Sequence, residues 1–136
     1  MSGAPAEALS VVVERAFPHP PERIWRALTE PHLIEAWLMR NDFRPVSGHR
    51  FSLEAEWGGV DCRVVAVEPN RTLTYTWQTK DLDSLVTWTL VPNGAGTLLR
   101  MEQSGFRPDQ QPYYRGATVG WKRFFAAMEE VLAGLG

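Results

Sequence analysis

From residue 51 the chain alternates apolar and polar side chains with a period of two, and after residue 120 it changes to a period near 3.6. Phe51, Leu53, Ala55 and Trp57 alternate with Arg50, Ser52, Glu54 and Glu56. Leu73, Tyr75 and Trp77 alternate with Thr72, Thr74 and Thr76, and Val86, Trp88 and Leu90 with Thr87 and Thr89. Thr97, Leu99, Met101 and Gln103 share a face opposite Leu98, Arg100 and Glu102. Successive strand side chains point to opposite faces, so this pattern predicts antiparallel strands with one face buried and one wet. Gly58-Gly59, Glu68 to Arg71, Lys80 to Asp83 and Pro92 to Gly96 supply the turns between them. Val60 to Val67 reads as a further strand, but it is apolar on both parities after Arg63, so its facing is open. Trp121, Phe124/Phe125, Met128, Val131/Leu132 and Leu135 then mark one face of a helix that Pro112 is suited to open. From Pro112 to Ala133 such a helix runs ~33 Å. An eight-residue strand spans only ~26 Å. The helix is therefore long enough to cross the whole sheet.

Before the alternating region, Val11 to Phe17 reads as a β-branched strand ended by Pro18, Pro20 and Pro21. Pro21 suits the first position of a helix with the stripe Ile24, Trp25 and Leu28. Thr29 is placed to cap a second short helix that carries Pro31, Leu33, Ile34 and Trp37. The order is strand, two short helices, five strands, one long helix. It predicts an α+β domain: a curved antiparallel six-stranded sheet wrapped around the C-terminal helix. At 136 residues this is a single domain, taken as residues 10–135, with residues 1–9 as a loose tail. A curved sheet under one long helix is hard to fill completely with side chains, and sites form where elements meet.

Composition narrows the function. The net charge is -2, and the basic residues are spread from Arg15 to Arg123 without a cluster, which leaves no positive field for nucleic acid or an anionic membrane. No apolar run approaches the ~20 residues of a membrane span, and Met1 to Ser10 has no secretory-signal pattern. These features point to a cytoplasmic protein. The single cysteine, Cys62, cannot form an internal disulfide or a multi-cysteine metal site. His19, His32 and His49 share no metal-ligand spacing. Neither a metal nor another cofactor is expected.

Six tryptophans stand beside only three tyrosines, and each indole N–H wants an acceptor. Trp57, Tyr75, Trp77, Trp88, Trp121 and Phe125 fall on the faces assigned inward. They form either a packed core or the wall of a cavity for an aromatic ligand. A core alone is more simply built from Leu and Phe, which carry no polar atom. Met101 and Met128 are adaptable fillers that suit either role. Gln103 shares its face with Met101 and Leu99, where it can anchor the polar end of a ligand; Arg63 is expected on the wet face. Cys62 has no histidine near it in sequence, so an inert thiol is expected. Glu54 and Glu56 resemble an acid–base pair but share the wet parity of their strand. Asp81 and Asp83 fit a solvated loop over one end of the sheet.

The order of elements resembles the START-like, helix-grip (SRPBCC) superfamily, and within it the bacterial homologues of the activator of the heat-shock-protein-90 ATPase. The residues that carry this likeness are Pro21-Glu22-Arg23-Ile24-Trp25-Arg26-Ala27-Leu28-Thr29-Glu30-Pro31, Ala36-Trp37, Gly48-His49-Arg50-Phe51, the run from Glu68 to Trp77, Gly96-Thr97-Leu98-Leu99, Ser104-Gly105-Phe106 and Gly120-Trp121. The resemblance implies a hydrophobic or aromatic small molecule under the long helix, with cyclases and dehydratases among the members, and a link to stress response. The eukaryotic co-chaperone works with a separate N-terminal domain, for which this chain is too short. Many relatives carry His where this chain has Gln103, and an amide cannot shuttle protons at neutral pH.

The expected function is non-catalytic binding of a hydrophobic, aromatic small molecule. Trp57, Tyr75, Trp77, Trp88 and Met101 would be its walls, Gln103 its polar anchor, and Trp121, Phe125 and Met128 its helix lid. The alternatives are a chaperone-regulating protein, acting through its outer surface on a chaperone partner, and a lyase or cyclase needing an acid–base pair in the cavity. A homodimer fits a domain of this size.

Overall fold

The computed structural model describes residues 9–135. The expected tail lies outside the described residues, apart from Leu9, which opens the first strand. Strand β1 (Leu9–Phe17) leads into helices α1 (Pro21–Thr29) and α2 (Pro31–Trp37). Six further strands follow: β2 (Arg40–Asn41), β3 (Arg50–Ala55), β4 (Gly58–Glu68), β5 (Thr72–Thr79), β6 (Leu82–Asn93) and β7 (Gly96–Phe106). A 3-10 turn at Pro108–Gln110 then leads into helix α3 (Gln111–Gly134). The strands form one antiparallel sheet in the order β1-β7-β6-β5-β4-β3-β2. The first and last strands pair, while β2 lies at the opposite edge, so α1 and α2 carry the chain from one edge of the sheet to the other.

The α+β helix-grip architecture is the expected one, with seven strands instead of six. The additional strand, β2, has two residues, too few to show any alternation. Thr29 is not the cap of α2. Glu30 holds that position without a side-chain cap, and the Thr29 hydroxyl donates to the Trp25 carbonyl one turn back.

Strand β4 shows why its facing was unreadable. Val60, Cys62 and Val64 are buried, then a bulge between Val64 and Ala66 shifts the register, so that Ala66 is exposed and Val67, opposite Leu73, packs against the core. One inserted residue exchanges the inward and outward parities, so apolar side chains occur on both. Strand β7 uses a similar device. Gly105 takes φ +111°, where a Cβ would lie 2.7 Å from the Asp83 carbonyl oxygen. The irregularity brings Phe106 to the same buried face as Gln103, which differs from it in parity.

Helix α3 packs unevenly. Its buried residues begin only near the middle, at Trp121, and continue through the second half with Phe125, Met128 and Leu132. Phe125 stacks on Phe17 and Trp88, which fixes that half to the sheet. The first half carries Gly116, Ala117 and Gly120 on the face toward the sheet and is not closed down on it.

Candidate functional site

The unfilled space under the first half of α3 is an apolar cleft of about 710 Å³. The helix contributes a stripe from Tyr113 through Gly116, Ala117 and Gly120 to Trp121 and Phe124, the i, i+3/i+4 spacing of one helical face. The sheet contributes Trp77, Leu82, Gln103 and Phe106, and Met39 closes one side. Small residues on α3 make the room. A Cβ added at Gly116 or Gly120 would meet nothing within 4 Å, so packing does not demand glycine at either place. Each costs about 1 kcal/mol of helix stability relative to alanine. What they provide is space.

A single hydrogen-bond network closes the floor of the cleft. The Trp121 indole Nε1–H donates to Gln103 Oε1 at 2.7 Å. Gln103 Nε2 donates to Ser84 Oγ at 2.9 Å, and the Ser84 hydroxyl donates to the Trp77 carbonyl at 2.8 Å. Gln103 is 2% exposed and yet lines the cleft. A buried amide without partners would be costly, so the network holds Gln103 in one orientation.

Four of the nine predicted site residues line the cleft: Trp57, Trp77, Gln103 and Trp121. Trp77 and Trp121 meet in its wall with ring centroids 5.3 Å apart. Trp57 is not on an inward strand face. Strand β3 ends at Ala55, which pairs with Gly58, so Glu56 and Trp57 are the two central residues of the hairpin turn that was expected at Gly58-Gly59. Trp57 is 65% exposed and stands at the mouth of the cleft. The other five residues, Tyr75, Trp88, Met101, Phe125 and Met128, belong to the packed core below the cleft and do not line it. Trp88 sits between Trp37, Trp121 and Phe125, and its N–H donates to the Tyr75 hydroxyl at 3.0 Å.

Several lining residues are not marked as site residues by the sequence pattern. Leu82 falls in a stretch that reads as a polar turn, Lys80 to Asp83, but the turn is only Lys80–Asp81, and Leu82 is a buried strand residue. Gly116, Ala117 and Gly120 had a usable signal: three small residues on the inward stripe of an otherwise aromatic helix. Met39 and Phe106 follow irregular backbone and had none.

The other reactive groups lie away from the cleft. Burial, reinforced by Asp61 and Asp42, pushes the Cys62 thiol up to about 12, so it is no nucleophile at neutral pH. Burial likewise raises the Tyr75 phenol. Glu54, Glu56 and Arg63 are exposed on the outer face or turn. The ionisable groups that line the cleft are Lys80, Asp81 and Tyr113, all exposed at its rim, where the Tyr113 hydroxyl donates to Asp81 at 3.1 Å. Asp83 accepts from Gln78 beside it. Among the described residues no group of three or more His, Cys, Asp or Glu is arranged to hold a metal ion, and no helix is long and apolar enough to cross a membrane.

A curved antiparallel sheet that grips a long C-terminal helix, with an apolar cleft where the two part, defines a START-like helix-grip domain. The sequence model of the family described as activator of Hsp90 ATPase homolog 1-like protein matches residues 18–133, and the chain belongs to that family. It is similar to the crystal structure of protein MLL2253 from Mesorhizobium loti, with 57% identity and a TM-score of 0.92 over 94% of this chain and 99% of that one. It is also similar to CalU16 from Micromonospora echinospora, with 25% identity and a TM-score of 0.81 over 92% and 76% of the two chains. The Aha1 dimer from Colwellia psychrerythraea shares the fold, with a TM-score of 0.83 at 18% identity over 91% and 96%. No curated protein matches the chain.

Proposed function

We propose that the protein binds a hydrophobic, aromatic small molecule in the cleft between the sheet and the first half of α3, without covalent chemistry. The observation that carries this reading is the cleft itself: about 710 Å³, walled by Trp77, Leu82, Phe106, Trp121 and Phe124, and kept open by two glycines that packing does not need. Its size lies within the range usual for small-molecule sites, and so does its make-up of apolar walls with few polar groups. A lyase or cyclase would need an acid and a base at the reacting atoms, and the polar side-chain groups of the buried lining are the amide of Gln103 and the indole N–H groups of Trp77 and Trp121, none of which titrates at neutral pH.

Titration with an aromatic library, read by tryptophan fluorescence and melting temperature, tests this. A ligand present at 100 times its Kd stabilises the fold by about 2.7 kcal/mol, which raises the Tm by roughly 8–12 °C for a domain of this size. Quenching with a raised Tm is expected, and Trp77→Ala should weaken both. A library that leaves fluorescence and Tm unchanged would overturn the reading. If the chain then altered the ATP turnover of its cognate chaperone, the function would move to the outer surface.

A further inference from the structure

The hydrogen-bond network beneath the cleft fixes the polarity of the side-chain amide that its buried wall presents. An indole N–H can only donate, so the Gln103 atom facing Trp121 is the carbonyl oxygen Oε1. The amide nitrogen Nε2 must then face Ser84. The Ser84 hydroxyl has spent its one proton on the Trp77 carbonyl, so it can only accept from Nε2. No member of this chain of bonds can reverse without breaking another.

Nε2 carries two N–H groups, and the network uses one. Among the described residues Nε2 makes no second hydrogen bond. Gln103 is 2% exposed and lines the cleft, so the second N–H has little bulk water to satisfy it once the cleft is filled. Buried donors left unpaired are costly, which makes the cleft selective for an occupant that supplies an acceptor at this point.

We infer that the ligand is a planar aromatic molecule bearing a carbonyl-type oxygen, which accepts the second N–H of Gln103 while its rings lie against the wall that Trp77 and Trp121 form together. This inference rests on the binding reading above and names the ligand class for that site. A hydrocarbon of the same shape fills the space but leaves the donor orphaned. A sterically similar histidine at position 103 would present a different donor pattern, so the amide is the specificity element.

Fluorenone and fluorene make a suitable pair, since they match in shape and differ by the carbonyl. Affinities measured on the full chain should favour fluorenone by about five- to tenfold, the effect of one net hydrogen bond. Gln103→Met should reduce that ratio to near one. If that variant does not fold, side-chain amide NMR of the wild-type chain decides: fluorenone, and not fluorene, should shift one Gln103 Nε2 proton downfield and slow its exchange with water. Equal affinities, or an amide proton that does not respond to fluorenone, would overturn the acceptor inference while the binding reading stands. Failure of both compounds to bind would count against the binding reading itself.

Discussion

Trp88→Ala should lower the free energy of unfolding by about 3–5 kcal/mol, the usual cost of deleting a large aromatic from a packed core. Trp88 is fully buried on β6, a strand flanked on both sides by β5 and β7. Its ring lies 5.6 Å from Trp37, 5.6 Å from Trp121 and 5.7 Å from Phe125. These neighbours come from α2 and α3, so the deletion removes a contact that joins both helices to the sheet. It also leaves the buried Tyr75 hydroxyl without its donor. For a domain of this size the Tm should drop by roughly 10–20 °C. Urea unfolding should show a lower midpoint with an unchanged slope. Trp57→Ala is the control: its side chain is in an exposed turn, and the change should stay within about 0.5 kcal/mol. Equal costs for the two variants would contradict the division between core and cleft mouth.

Gly120→Leu should have the opposite profile, with stability kept and binding lost. Leucine is the better helix former by about 0.5–1 kcal/mol, and the new Cβ meets open space. The rest of the side chain would occupy the cleft in front of Trp77. Taking about 100 Å² of apolar contact away from a ligand forfeits ~2.5 kcal/mol, on the order of 70-fold in Kd. Gly116→Leu should act in the same way one turn earlier. A variant that lost affinity through damage to the fold would also lose Tm, so the combination of a steady or raised Tm with a weakened ligand is diagnostic. An unchanged affinity would put the ligand elsewhere on the molecule.

How much of this was legible in the sequence depends on the physics behind each feature. Period-two alternation reports which face of a strand a residue takes, and Tyr75, Trp77, Trp88, Met101 and Gln103 all lie on the inward face that it assigns them. Parity says nothing about height along the strand. Trp77 lies opposite Ser84, near the end of the sheet where α3 stands off, whereas Trp88 lies opposite Leu73, where α3 is packed down. The two indoles share a face and differ in role for that reason alone. Trp57 continues the alternation of β3 in sequence but falls in the turn, because hairpin register is set by where the strands pair. The bulges after Val64 and at Gly105 each break parity, so the facings of Val67 and Phe106 could not be read from spacing. The six tryptophans are thus divided: Trp37 and Trp88 pack the core, Trp77 and Trp121 wall the cleft, Trp57 stands at its mouth, and Trp25 packs partly buried on α1.

That division offers a direct test, because each of the six indole N–H groups gives its own resonance in a ¹H–¹⁵N spectrum. Titration with fluorenone should shift the signals of Trp57, Trp77 and Trp121, which line the cleft, and leave those of Trp25 and Trp37 in place. Saturation with the ligand that moved Trp25 or Trp37 while Trp77 and Trp121 stayed still would contradict a binding site under the first half of α3.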